Sequence, residues 1–167
     1  MTRIPINGIK LSGPLVPMRI RPQAGSASPV PILCRMLTEI RVNIAFMTAG
    51  DTQGRQPGLC CIDAGNYAEV AAAVHHNALL DASVTFDTEV GLLSFYPHQA
   101  RMDLLVAALN ALVEGNVAVH GFASSIAAVT FVVDYEHLDR SAALLGDCMA
   151  LPTRPAAFRA DFKVIQE

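Results

Sequence analysis

Asp134, Glu136, His137 and Asp139 crowd three carboxylates and an imidazole into one short stretch. On its own that spacing suits a divalent cation or an acid-base pair. A solvated turn between a strand and a helix, with Asp134 or Glu136 near the helix start, explains the same cluster with less. His75-His76 is a second metal candidate, but neighbours on a helix diverge by about 100° and do not face one ion. The four cysteines, Cys34, Cys60, Cys61 and Cys148, sit inside apolar runs without a CxxC pair and read as reduced core thiols. Cys60 and Cys61 would point to opposite faces of a strand, so they cannot jointly grip a metal. Ser124-Ser125 has no G-x-S-x-G context, and Gly50, Gly54 and Gly58 lack the G-K-[ST] ending of a phosphate loop. No catalytic residue, metal ligand or cofactor is therefore assigned. An enzyme built on Cys60 or His120 would need a nucleophile beside a base, and the sequence places none.

The elements that must carry these residues follow from periodicity. Leu104, Leu105, Ala108, Leu109, Leu112 and Val113 line one helix face, stopped by Gly115-Asn116. An apolar run from Gly91 precedes that helix, and two β-rich runs, Val117 to Ser124 and Val129 to Asp134, follow it. A second helix is expected from about Leu138 to Cys148. The same order occurs about seventy-five residues earlier: Val30, Leu33, Cys34 and Leu37 match Leu105, Ala108, Leu109 and Leu112. Ser28-Pro29 is an N-cap with proline at the first helical position, and strands are expected at Ile44 to Thr48 and Leu59 to Ile62. A helix from Tyr67 to Asn77 and a strand from Ser83 to Phe86 complete the first copy. The chain thus reads as a duplication, with units at 1–80 and 81–167. Leu15 to Arg21 reads as a strand that Pro17 pushes towards a sheet edge, and Ala156 to Val164 alternates as a final half-buried strand.

Composition narrows the function class. Hydrophobic residues make up 52% and charged residues 16%, so self-association is expected to bury surface beyond one core. The net charge of -3, with scattered Lys and Arg, gives no field for a phosphate backbone, and no nucleic-acid partner is expected. Asn110, Glu114 and His75-His76 interrupt every apolar stretch before the ~18 to 20 residues a spanning helix needs. No membrane partner is expected. MTRIPINGIKLSG has no signal-peptide apolar core, and a cytoplasmic location is expected.

The residues carry a family resemblance. Val119-His120-Gly121-Phe122-Ala123-Ser124-Ser125, followed by Val129 to Asp134, resembles the strand pair of the ACT domains at the regulatory end of aspartate kinases. Asp87-Thr-Glu-Val-Gly-Leu-Leu-Ser94 resembles the strand that opens the second of those domains, and Ile6-Asn7-Gly8-Ile9 the segment that opens the tandem. The resemblance implies an α+β fold of two ferredoxin-like βαββαβ ACT units packed side by side, with antiparallel sheets and helices on one face. It further implies that the strand at 6–11 joins the second unit and the tail at 156–164 the first.

By the same resemblance the chain is a non-catalytic regulatory module without a kinase domain. It would bind a free amino acid of the lysine or threonine class at the interface between ACT units. A homodimer is implied, with an amino-acid biosynthetic enzyme as partner. The physical fit is simple: a helix N-terminus favours a carboxylate, and an edge strand offers carbonyls to an ammonium group. Carried over by position, the ligand-binding candidates in the first copy are Ser28, Pro29 and Val30 with Asn43, Ile44 and Ala45. In the second copy they are Gln99, Met102 and Asp103 with Val119, His120, Ser124 and Ser125. Asn43 keeps the family's asparagine, whereas Ala118 replaces it in the second copy. Asp103 would occupy the place a ligand carboxylate wants. A module that has kept the fold and lost the ligand is the alternative.

Overall fold

The computed structural model describes residues 4–23, 28–50, 56–96, 102–125, 127–150 and the backbone of 158–159. In chain order the elements are β1 (Ile4–Pro5), β2 (Gly8–Leu11), β3 (Leu15–Ile20), α1 (Pro29–Glu39), β4 (Ile44–Thr48), β5 (Gly58–Asp63), α2 (Tyr67–His75) and α3 (Ala78–Asp81). Then come β6 (Val84–Phe86), β7 (Val90–Tyr96), α4 (Met102–Glu114), β8 (Val119–Ser124), β9 (Val129–Asp134), α5 (Leu138–Cys148), β10 (Met149–Ala150) and β11 (Phe158–Arg159). Short 3-10 turns at Ala64–Asn66 and Tyr135–His137 lead into α2 and α5.

The chain forms two compact units, one from Pro14–Glu89 and one from the stretches before and after it. In the 14–89 unit the strands lie in the order β6-β3-β5-β4, all antiparallel. Val16, Met18, Ile20, Cys60 and Ile62 alternate along their strands and so share one sheet face, where they meet Leu33 and Leu37 of α1, Val70 and Val74 of α2 and Leu80 of α3. The helices therefore cover that face. In the other unit the order is β11-β2-β7-β9-β8, antiparallel except for the parallel β11-β2 pair. Leu93, Phe95, Val129, Phe131 and Val133 form its inner face against Leu104, Leu105, Ala108 and Leu112 of α4 and Leu138 and Leu145 of α5. Each unit is a strand-helix-strand-strand-helix-strand sandwich, an α+β fold, and β2 stands in the second where β6 stands in the first.

The equivalence extends to single hydrogen bonds. Arg41 follows α1 with φ 55°, and Asn116 follows α4 with φ 52°. Arg41 N–H donates to Thr38 O and Val42 N–H to Leu37 O, at 3.1 and 2.8 Å; Asn116 N–H donates to Val113 O and Val117 N–H to Leu112 O, both at 2.9 Å. These are the paired bonds of a Schellman helix exit. Next, β4 slips register against β5 between Ile44 and Phe46, and β8 slips against β9 between Val119 and Gly121. Ala45 and His120 are thus the same bulge residue in two copies.

Three expectations differ from what is found. The compact units divide between Glu89 and Val90 and not at 80/81, which keeps Val84–Phe86, paired with Met18–Ile20, in the first unit, where the repeat already places that strand. The described part of the tail, Phe158–Arg159, runs beside Lys10–Leu11 in the second unit, where the outer edge of β2 is open, and not in the first. Pro17 lies on a central strand. Its carbonyl faces β6 and accepts from Asp87 N–H at 3.1 Å, one register step beyond Met18–Phe86, so only the reciprocal bond that a proline cannot donate is missing, at the end of the β6 ladder.

Candidate ligand-binding site

In the first unit, Ser28 stands at the N-terminus of α1 without a side-chain capping bond. Pro29 is buried and Val30 half-buried. Both Pro29 and Pro31 lack an N–H, so the first turn keeps only part of the donor set that makes a helix start attractive to a carboxylate. The chain reverses at Arg41, which puts Asn43 beside the other end of α1. An eleven-residue helix separates the two clusters by about 16 Å. That exceeds the reach of an extended lysine. Within one unit, Ser28, Pro29 and Val30 therefore do not share a ligand with Asn43, Ile44 and Ala45.

Asn43, Ile44 and Ala45 are three consecutive exposed residues where the chain enters β4, whose only strand partner among the described residues is β5. Consecutive exposure is unusual in a strand, where alternate side chains turn inward. The bulge explains it: Ala45 has no register partner on β5, so its backbone groups are left over from the ladder. The Asn43 amide stands beside them and can both donate and accept.

The second unit treats the same position differently. His120 Nε2 lies 2.7 Å from Asp134 Oδ1, so the bulge residue is tied to the end of β9. Asp63, the matching carboxylate of the first unit, instead accepts from Gly65 N–H at 2.8 Å and caps its own 3-10 turn. Asp134 makes no such cap. His137 Nδ1 stands 3.8 Å from Asp134 Oδ2 and from Glu136 Oε1, is buried, and makes no hydrogen bond. Among the described residues no three His, Cys, Asp or Glu side chains converge on a metal position.

The remaining candidates separate. Met102 is exposed at the start of α4, and Asp103 Oδ1 accepts from Leu104 N–H at 3.0 Å. Val119 is half-buried beside the far end of α4. Ser124 is exposed, and Ser125 Oγ accepts from Ala127 and Ala128 N–H at 3.3 and 3.1 Å, so Ser125 builds the turn between β8 and β9. Gln99 lies outside the described residues. Reading by position found the bulge residues but missed Asp134 as the partner of His120, although the equivalence of Asp63 and Asp134 was visible in the repeat. Cys60 and Cys61 are fully buried, and burial pushes each thiol up to about 12, which leaves neither as a nucleophile near neutral pH.

No protein-family model matches the sequence, and no curated protein matches it significantly. Solved structures do. The regulatory subunit of aspartate kinase from Thermus thermophilus aligns with a TM-score of 0.76 at 9% identity, over 87% of this chain and 99% of that one. The fold is that of the aspartate kinase regulatory region. The regulatory subunit from Thermus flavus aligns with a TM-score of 0.73 at 9% identity, over 86% of this chain and 98% of that one. E. coli aspartokinase III in complex with lysine and aspartate aligns with a TM-score of 0.62 at 11% identity, over 88% of this chain and 34% of that one. At such identities the aspartate kinase regulatory fold is what is shared. No helix among the described residues is long and apolar enough to cross a membrane.

Proposed function

We propose that this chain is a non-catalytic regulatory module that binds a free amino acid of the lysine or threonine class. The observation that carries the proposal is the exposed bulge at Asn43, Ile44 and Ala45, on a fold shared with nearly the full length of a stand-alone aspartate kinase regulatory subunit. The aspartokinase III structure described as a complex with lysine and aspartate supports the ligand class. At the bulge, backbone carbonyls receive the ammonium group and the Asn43 amide receives the carboxylate or a side-chain hydroxyl. The module works as a homodimer through sheet edges and regulates an amino-acid biosynthetic enzyme, a role supported by the apolar-rich composition and by β8, whose described pairing is with β9 alone. Binding shifts the module only as far as its affinity differs between two conformations.

A second reading, an interaction module without a ligand, is favoured by the two prolines in the first turn of α1 and by Ala118 in place of a second asparagine. A thermal-shift panel of the common amino acids separates the two. A ligand at 100 times its dissociation constant adds about 2.7 kcal/mol of stability. A flat panel at millimolar concentrations supports the second reading.

A further inference from the structure

We infer that the site at β4 takes a free amino acid with a basic side chain, whose cation Asp63 receives, and that each chain holds one such site. The inference rests on the amino-acid reading of Asn43, Ile44 and Ala45 and adds the group that selects the ligand's side chain. One register step beyond the Ile44–Ile62 pair sets Asn43 against Asp63, with Cβ atoms about 5 Å apart. Ile62 packs against the helices, so Asn43 and Asp63 turn to the other face of the sheet, and both are exposed.

The second unit supplies the comparison. His120 and Ala45 are the same bulge residue, and Asp134 and Asp63 end the strand beside it on the same backbone, φ -56° and ψ 135° against φ -58° and ψ 135°. The His120 ring nitrogen lies 2.7 Å from Asp134 Oδ1, so a nitrogen over the bulge is within reach of this carboxylate. Ala45 has no atoms beyond Cβ to do the same. Among the described residues Asp63 accepts only from Gly65 N–H, through Oδ1, and pairs with no Lys or Arg. Its Oδ2 has no protein donor there.

The two copies thus trade residues. The first has Asn43 with Ala45, and the second has Ala118 with His120. Where the asparagine is kept, no side chain donates to the carboxylate; where it is lost, the protein's own imidazole does. A ligand nitrogen at Asp63 takes the part that the ring nitrogen plays at Asp134, with the ligand's carboxylate on the Asn43 amide. A cationic nitrogen gains a charge-assisted hydrogen bond there, and a side chain without a donor forfeits it. His120 closes the second unit to the same ligand.

The test is titration calorimetry of the full chain with lysine, arginine, threonine and norleucine, the last being lysine without its side-chain amine. We expect lysine or arginine to bind at one site per chain, at least about tenfold more tightly than norleucine and threonine. Asp63→Asn keeps an acceptor for Gly65 N–H and should weaken the basic ligand by about tenfold or more. Ala45→His places an imidazole where the second unit already carries one, and should abolish binding with unchanged circular dichroism. Norleucine or threonine binding as tightly as the basic ligand, or binding undiminished in both variants, overturns this selection by Asp63 while leaving the amino-acid reading of β4 in place. Two sites per chain overturn the closure by His120. No heat from any of the four overturns that reading and this inference together.

Discussion

Arg41 and Asn116, seventy-five positions apart, hold the same left-handed backbone, φ 55° and 52°, each one residue before a buried valine. Each closes a helix with the same pair of hydrogen bonds. Left-handed φ is unfavourable for a side chain with a Cβ, least so for asparagine. Arg41→Gly should therefore raise stability by about 0.5–1 kcal/mol. Asn116→Val should lower it by about 1–2 kcal/mol. Urea unfolding midpoints at constant slope measure both.

Gly91 and Gly13 make a contrasting pair. A Cβ on Gly91 would meet the Leu138 side chain at 2.7 Å, inside the core where α5 packs on β7. A Cβ on Gly13 meets nothing within 4 Å. Gly91→Ala should destabilise by about 1–3 kcal/mol through overpacking, and Gly13→Ala should change stability by less than about 0.5 kcal/mol in the unfavourable direction. Thermal melts of the two variants side by side check the difference.

The buried thiols make stability fall in alkali. Burial raises Cys60 and Cys61 from the usual 9.0 to about 12. Below the unfolded value both states hold the protons and the contribution is fully present. As pH climbs from 9 towards 12 the unfolded chain ionises first, and that contribution is lost. A variant with Cys60→Ala and Cys61→Ala, though less stable overall, should show a shallower fall of stability with pH across that window. Chemical unfolding at successive pH values reads the slopes. A thiol reagent should leave both cysteines unmodified in the native protein and label them on unfolding.

The His120–Asp134 pair is partly exposed, so its coupling is modest. A double-mutant cycle with His120→Ala and Asp134→Ala should give about 0.2–1 kcal/mol. The sister pair Ala45 and Asp63 has no such link, and Asp63→Ala should cost only its cap to Gly65, about 0.5–2 kcal/mol.

The sandwich was legible because its signals repeat: Leu33 and Leu37 recur as Ala108 and Leu112, and both pairs are buried. The unit boundary was legible in part: the repeat puts the strand at Ser83 to Phe86 in the first copy, as its pairing with Met18–Ile20 does, whereas a division at 80/81 cuts that strand away. Pro17 misled because the rule for proline in sheets concerns a strand's hydrogen-bonding partners, and a sequence does not show where a neighbouring ladder stops. At the candidate site, Asn43 was visible as a residue type. The bulge that exposes Ala45 was not, because register slips come from strand pairing and leave no mark on local composition. The separation of Ser28 from Asn43 follows from helix length alone and was available beforehand.

Titration calorimetry with lysine and with threonine on the full chain, beside Asn43→Ala, tests the regulatory reading most directly. Saturable heat is expected for at least one of the two, weakened about tenfold or more in Asn43→Ala. Absence of heat for both up to millimolar ligand, or undiminished binding in Asn43→Ala, would contradict it.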